Sequence, residues 1–130
     1  MSQRHAQSVS WFTIIGALAA LTHYIVAVGL EYSALVTAAH ANIAGFIVAF
    51  PVSYIGHSQF SFAQHKAKHS AALPRFLSVA ILGFLANQTL VVSALKYTAL
   101  PFWLVLGMVM VLVAVSTYLL SRHWAFKGQS

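Results

Sequence analysis

The sequence predicts an all-α membrane protein: four transmembrane helices forming two tandem hairpins of the same orientation, with both termini in the cytoplasm. Three observations lead there. Of 130 residues, 60% are apolar and only 6% charged, against roughly 25% charged in a soluble domain. That much apolar surface needs lipid as its solvent. The chain also repeats itself at a constant offset of 64, pairing Phe12 with Phe76, Leu18 with Leu82, Leu21 with Leu85, Val28 with Val92, Tyr54 with Tyr118 and Phe62 with Phe126. A tandem repeat of this kind is one supersecondary unit copied. Finally, the basic residues are unevenly shared between the two sides of the apolar runs.

A helix that crosses a bilayer needs about 20 mostly apolar residues at ~1.5 Å each. Four stretches qualify, at 9–30, 34–55, 76–95 and 102–120. They lack the period-2 alternation of a membrane β-barrel. The first pair is joined by a short turn around Glu31. The second is joined by a short loop ending at Pro101, which suits the first turn of a helix because its missing N–H costs nothing there. A longer polar loop, 56–75, joins the pairs and holds His65, Lys66, Lys68 and His69. Small-residue faces, Gly16-x-x-x-Ala20 and Ala41-x-x-x-Gly45, suit close helix contact. The whole chain, 1–130, reads as a single four-helix domain with internal repeats at about 11–62 and 75–126.

Of the seven Lys and Arg, Arg4, Lys66, Lys68, Arg75, Arg122 and Lys127 lie at the termini or in the middle loop. Only Lys96 lies on the other side. The positive-inside rule then places the termini and the middle loop in the cytoplasm, and it accounts for the net charge of +6 without nucleic acid. An even number of spans per repeat gives both copies one orientation, as in parallel-repeat transporters.

Composition also excludes chemistry. Without cysteine there is no thiolate nucleophile, disulfide or Cys-based metal site. With Glu31 as the single acidic residue, no paired-carboxylate mechanism is possible within one chain. The seven histidines show no H-x-x-x-H pair with a carboxylate, and there is no P-loop, nucleotide fingerprint or nucleophile elbow. No cofactor, metal or enzymatic activity is expected.

Polar side chains inside a span are costly unless they meet a partner or water. The repeat register sets His23 against Asn87, Tyr24 against Gln88 and Ser53 against Thr117. One reading of such groups is helix-to-helix glue. The other is a polar seam that lets a hydrophilic group pass, built from His23, Asn42, Asn87 and Gln88. A second feature is an aromatic and basic collar at the cytoplasmic ends, with Arg75, Tyr118, Arg122 and Trp124. Such residues are ordinary interfacial anchors, and Arg is also suited to grip a lipid phosphate through its planar fork.

The opening Phe12-Thr13-Ile14-Ile15-Gly16, the Arg75-Phe76 pair and the ending Tyr118-Leu119-Leu120-Ser121-Arg122-His123-Trp124-Ala125-Phe126 resemble the GtrA-like family of small four-span membrane proteins, over about residues 11–127. The family's pattern often has an acidic residue where His23 stands and a basic one where Ser58 stands. The resemblance implies a role in cell-surface polysaccharide synthesis in the cytoplasmic membrane. It implies translocation of a polyprenyl-phosphate-linked sugar. The residues expected to bind that substrate are His23, Asn42, Asn87 and Gln88 of the seam, around the sugar, and Arg75, Arg122, Tyr118 and Trp124 of the collar, at the phosphate. The alternative is a non-transporting scaffold that recruits a polyprenyl-phosphate glycosyltransferase. Expected partners are that lipid-linked sugar, membrane lipids, and a second copy or a membrane glycosyltransferase. A small multidrug exporter, also of four spans, would need a carboxylate within its first span, and Glu31 lies at that span's outer end.

Overall fold

A computed structural model of the chain describes residues 3–61 and 69–127. All regular structure among them is helical: α1 (Gln3–Tyr32), α2 (Ala38–Gly56), α3 (His69–Tyr97) and α4 (Phe102–Lys127). A π-helical turn, His57–Ser61, continues α2. Ser10–Tyr32, Ala38–Gln59 and Pro74–Tyr97 are long and apolar enough to cross a membrane, and α4 adds a shorter apolar stretch, Phe102–Thr117. Three of the four helices run past the apolar segments that announce them. Thus α1 starts at Gln3, α3 starts at His69, before Pro74, and α4 continues to Lys127. Polar helix ends need no lipid, so hydropathy alone undercounts them.

Each short turn between helices has a local cause. Ser33 ends α1 by donating its N–H to Gly29 (3.0 Å) and its hydroxyl to the Leu30 carbonyl (2.7 Å). Ala34 then takes a left-handed φ of 62°, which costs a non-glycine residue about 1–2 kcal/mol. Its N–H is held by the Glu31 carbonyl at 3.0 Å. Thr37 starts α2 as an N-cap whose hydroxyl accepts from the His40 N–H, satisfying one of the orphan donors of a helix start. In the second turn, the Thr98 hydroxyl donates to the Ala94 carbonyl at 2.6 Å. The Pro101 carbonyl accepts from Leu104 and Val105 (3.2 and 3.0 Å). Pro101 therefore sits one place before the first turn of α4, as its cap.

Contacts join α1 to α2, α2 to α3, α3 to α4 and α4 back to α1, so the helices form a ring. The α1–α2 contact is intimate and the α1–α4 contact is the slightest of the four. Two glycines of α2 explain the first. A Cβ on Gly45 would lie 2.7 Å from both the Cδ2 and the backbone oxygen of His23, and one on Gly56 would lie 2.6 Å from Ile15 Cγ2. Nothing lies within 4 Å of a Cβ built on Gly16, and Ala20 is exposed. Of the two small-residue faces, the one on α2 is thus the packed one.

The core lies at the end of the bundle that carries the two short turns. Ala27, Ala41, Val91, Phe102, Val105, Leu106 and Val109 form one buried cluster there. Elsewhere large apolar side chains face outward, among them Ile25, Ile47, Leu82 and Val111. A helix apolar on all sides belongs in a membrane.

Candidate functional site

Beneath the apolar cluster, three helices contribute one buried polar network. His23 of α1 pairs through Nε2 with Asn42 Oδ1 of α2 at 2.7 Å. Asn42 Nδ2 donates to two side chains of α3, Asn87 Oδ1 at 2.7 Å and Gln88 Oε1 at 2.8 Å. Gln88 Nε2 returns to α2, donating to the Ala39 carbonyl at 3.2 Å. Asn42 is fully buried, and His23 and Asn87 are 8% and 6% exposed. Burial of so many polar groups is tolerable only because they serve one another.

Gly45 makes the first link possible. Without a side chain at 45, the His23 ring can lie against α2, its Cδ2 edge toward Gly45 and its Nε2 reaching Asn42. Asn42 follows the Thr37 cap by little more than one turn, so α2 delivers it near the turn end of the bundle. Asn87 and Gln88 are neighbours on α3 and reach Asn42 together.

On the other side of the network, away from the short turns, lies a cavity of about 270 Å³ shared by all four helices. His23 and Asn87 form its floor. Its walls are mostly apolar: Ala19 from α1, Phe46 and Phe50 from α2, Phe84 from α3, Met110 from α4, with Ser53 as a further polar group. Ala20 and Ala114 also line it and are exposed, so the cavity reaches the bundle surface where α1 and α4 contact each other least.

Aromatic rings run along one wall. Phe46 stacks on Phe84, with centroids 4.6 Å apart and planes 17° apart. Phe50 stacks toward Tyr54 at 6.3 Å, and both reach Phe76, at 5.7 and 5.6 Å. Phe76 in turn meets His57 at 5.8 Å, which stacks on Phe12 at 4.7 Å. The sequence reading places Tyr54 and His57 in the aromatic collar at the helix ends and does not single out Phe46, Phe50 or Phe84. The column's signal was present in Phe46, Phe50 and Tyr54, at helical i, i+4, i+8 spacing.

The structure therefore brings together His23, Asn42, Asn87 and Gln88. Arg75 is separate. It is exposed near the start of α3, about 18 Å from Asn87 along the helix at ~1.5 Å per residue. The side chains of Tyr118, Arg122 and Trp124 lie outside the described residues, as do Lys66 and Lys68 of the middle segment.

A family model described as the GtrA/DPMS transmembrane domain matches residues 11–126. The chain belongs to this GtrA-like membrane family. No curated protein and no solved structure matches it. Membership of the GtrA/DPMS family fits a membrane protein of glycan synthesis, in a family whose members are generally non-catalytic.

Proposed function

We propose that this GtrA-like chain translocates a polyprenyl-phosphate-linked sugar across the cytoplasmic membrane, for cell-surface polysaccharide or glycolipid synthesis, and catalyses no reaction. The observation that carries this reading is the cleft shared by the four helices and open to the bundle surface, with His23 and Asn87 in its lining. A headgroup cannot cross hydrocarbon bare, because each polar group without a partner costs several kcal/mol there. A cleft with polar groups at its deep end lowers that cost, and a scaffold has no need of one.

The bias of basic residues supports termini in the cytoplasm and two tandem hairpins standing in one sense within a single domain. In that orientation the apolar cluster and the polar network close the outer half, and the cavity occupies the inner half. Passage to the outer leaflet requires the network to part. Side-chain hydrogen bonds within membranes average about 0.6 kcal/mol. The four that join His23, Asn42, Asn87, Gln88 and Ala39 then hold with roughly 2–3 kcal/mol in total, within reach of what a bound ligand supplies. Arg75 and Arg122 serve as cytoplasmic phosphate contacts in this scheme, with Tyr118 and Trp124 at the headgroup level. Net flow follows the gradient of the lipid-linked sugar itself. A second copy of the chain or a membrane glycosyltransferase completes the assembly.

Reconstitution tests the proposal. Vesicles containing the purified protein should expose a labelled polyprenyl-phosphate sugar to an impermeant reagent faster than protein-free vesicles do. Equal rates would leave the scaffold reading in its place. Single cysteines are introduced into a chain that has none of its own, so labelling of position 67 from outside intact cells would reverse the orientation.

A further inference from the structure

The polar network has a direction, and the direction is set by an atom that cannot be reoriented. A side-chain amide can be turned end for end, and an imidazole can carry its proton on either nitrogen. A backbone carbonyl has no such freedom. The Ala39 carbonyl can only accept, so the Gln88 atom 3.2 Å from it is the amide nitrogen. Gln88 Oε1 is then an acceptor, and Asn42 must present its nitrogen to it. The same nitrogen gives its second hydrogen to Asn87 Oδ1. Asn42 Oδ1 is left facing His23 Nε2 at 2.7 Å. Two acceptors cannot share that distance, so Nε2 carries the hydrogen. Neutral His23 is held as one tautomer by a backbone carbonyl two residues removed from it in the network.

Two polar atoms remain after this accounting: the lone pair on His23 Nδ1 and the amide hydrogens on Asn87 Nδ2. Neither has a hydrogen-bond partner among the described residues. Yet no side-chain nitrogen or oxygen is both enclosed and unpartnered among them, so these two atoms must touch open space. Both residues line the cavity. The Cδ2 edge of His23 lies against α2 at Gly45, which turns the Nδ1 edge away from α2. The cavity floor thus presents one acceptor and one donor, on side chains more than nine-tenths buried.

We infer that this floor binds a single neutral hydroxyl of a sugar ring, the hydroxyl donating to His23 Nδ1 and accepting from Asn87 Nδ2. A hydroxyl both gives and takes through the same atom. A phosphate is a poor fit. Its oxygens would meet the Nδ1 lone pair, the lining holds no Lys or Arg, and an unpaired ion is costly in apolar surroundings. The walls favour a ring that carries the hydroxyl. Phe46, Phe50 and Phe84 line the cavity, and an aromatic ring carries negative potential on its face, on which the polarised C–H groups of a sugar can settle. About 270 Å³ is just below the ~300 Å³ at which small-molecule pockets begin, enough for one ring. The source of the ring rests on the translocator reading above. The chemistry of the floor does not.

The test uses the full chain in lipid nanodiscs with ¹⁵N-labelled histidine. The His23 signals are assigned among the seven histidines by their loss in His23→Gln. Without a probe, the His23 spectrum should be that of a neutral ring protonated at Nε2. A ring protonated at Nδ1 overturns the inference at once. Octyl β-glucoside, which has a ring and no phosphate, should shift Nδ1 and leave Nε2 in place. Octyl phosphate, which has a phosphate and no ring, should move neither. A response to octyl phosphate equal to that of the glucoside, or no response to the glucoside, overturns the assignment. Octan-1-ol that matches the glucoside overturns the ring. Asn87→Leu should keep the Nε2–H tautomer and weaken the glucoside response about tenfold, the value of one hydrogen bond at the upper end of its usual range. An unchanged response removes Asn87 from the site. If the glucoside response is present and reconstituted vesicles still fail to translocate, the translocator reading falls and the hydroxyl site stands.

Discussion

In the 64-residue register, α2 and α4 are counterparts, and they differ in a consistent way. Where α2 has Ala41, Asn42, Gly45 and Ala49, α4 has Val105, Leu106, Val109 and Val113. Burial follows the register closely at the centre. Ala27 and Val91 are both buried, His23 and Asn87 are both nearly so, and Asn42 and Leu106 are both 0% exposed. The register breaks at the end away from the short turns, where Ile15 is 5% exposed and its counterpart Val79 is 73% exposed. Small residues let α2 close on α1 and seat Ile15 over Gly56. Branched residues hold α4 away from that kind of contact. The bundle is therefore tight between α1 and α2 and slack around α4, and the cavity lies where the slack is. The same difference makes the network lopsided. His23 finds an amide on the next helix, α2, whereas Leu106 of α4 has none to offer Asn87, so Asn87 turns to Asn42 instead.

If small residues cause this closeness, giving α2 the residue that α4 carries should undo it, and the largest effect is expected at Gly45. Gly45→Val copies Val109. Even its first carbon would stand 2.7 Å from the backbone oxygen of His23 as well as from its ring, and backbone cannot swing aside as a side chain can. Overpacking of this sort costs about 3 kcal/mol and also pulls His23 off Asn42. Reversible unfolding in mixed micelles measures it. A loss below ~1 kcal/mol would show that α1 and α2 can separate freely, and the contrast between α2 and α4 would lose its cause.

Next comes Asn42→Leu, which copies Leu106. It leaves His23 Nε2–H without an acceptor and Asn87 Oδ1 and Gln88 Oε1 without a donor. Membrane hydrogen bonds are individually weak, about 0.6 kcal/mol, but buried groups left alone cost more than the bond was worth. A destabilisation of about 2–3 kcal/mol is expected. Gly56→Ala should cost less, about 1 kcal/mol. The atoms its Cβ would meet, Ile15 Cγ2 and Cδ1 at 2.6 and 2.8 Å, belong to a side chain that can rotate. The order of these three losses is as informative as their sizes. Gly56→Ala exceeding Gly45→Val would move the critical approach of α1 and α2 to the end away from the short turns.

How far the sequence carried is clearest at particular residues. Helical character and the family came from the apolar runs and the aromatic–basic ending, both dense signals. That His23, Asn42, Asn87 and Gln88 should matter came from their cost inside a span. Their meeting in one network was a matter of helix rotation, which a repeat register fixes for His23 and Asn87 but not for Asn42, whose counterpart is a leucine. The cavity was not legible, because it depends on which faces of α4 stay apart from α1, and an apolar helix in lipid shows no moment to reveal its inner face. The aromatic column was not legible because, in an apolar span, nothing in the sequence tells Phe46, Phe50 and Phe84 from lipid-facing residues. Only the stacking of Phe46 on Phe84 distinguishes them.

The smallest effect concerns the slack side. Along α1 and α4, the Tyr24 hydroxyl donates to the Trp103 carbonyl at 2.9 Å, close to the buried cluster and above the exposed Ala20 and Ala114. Tyr24→Phe removes that bond and keeps the ring, and the carbonyl it frees lies in the first turn of α4, where its helical partner remains. The expected loss is about 0.6 kcal/mol, the average for such a bond in a membrane. A cysteine pair at 20 and 114, in a chain without other thiols, gives a second readout: disulfide yield should fall as the two helices spend more time apart. Loss of stability without a change in cross-linking would make Tyr24 a brace for the apolar cluster alone. Cross-linking that falls while stability scarcely moves would mark the α1–α4 seam as the side of the ring that opens most easily, as expected where branched side chains have kept the helices from closing.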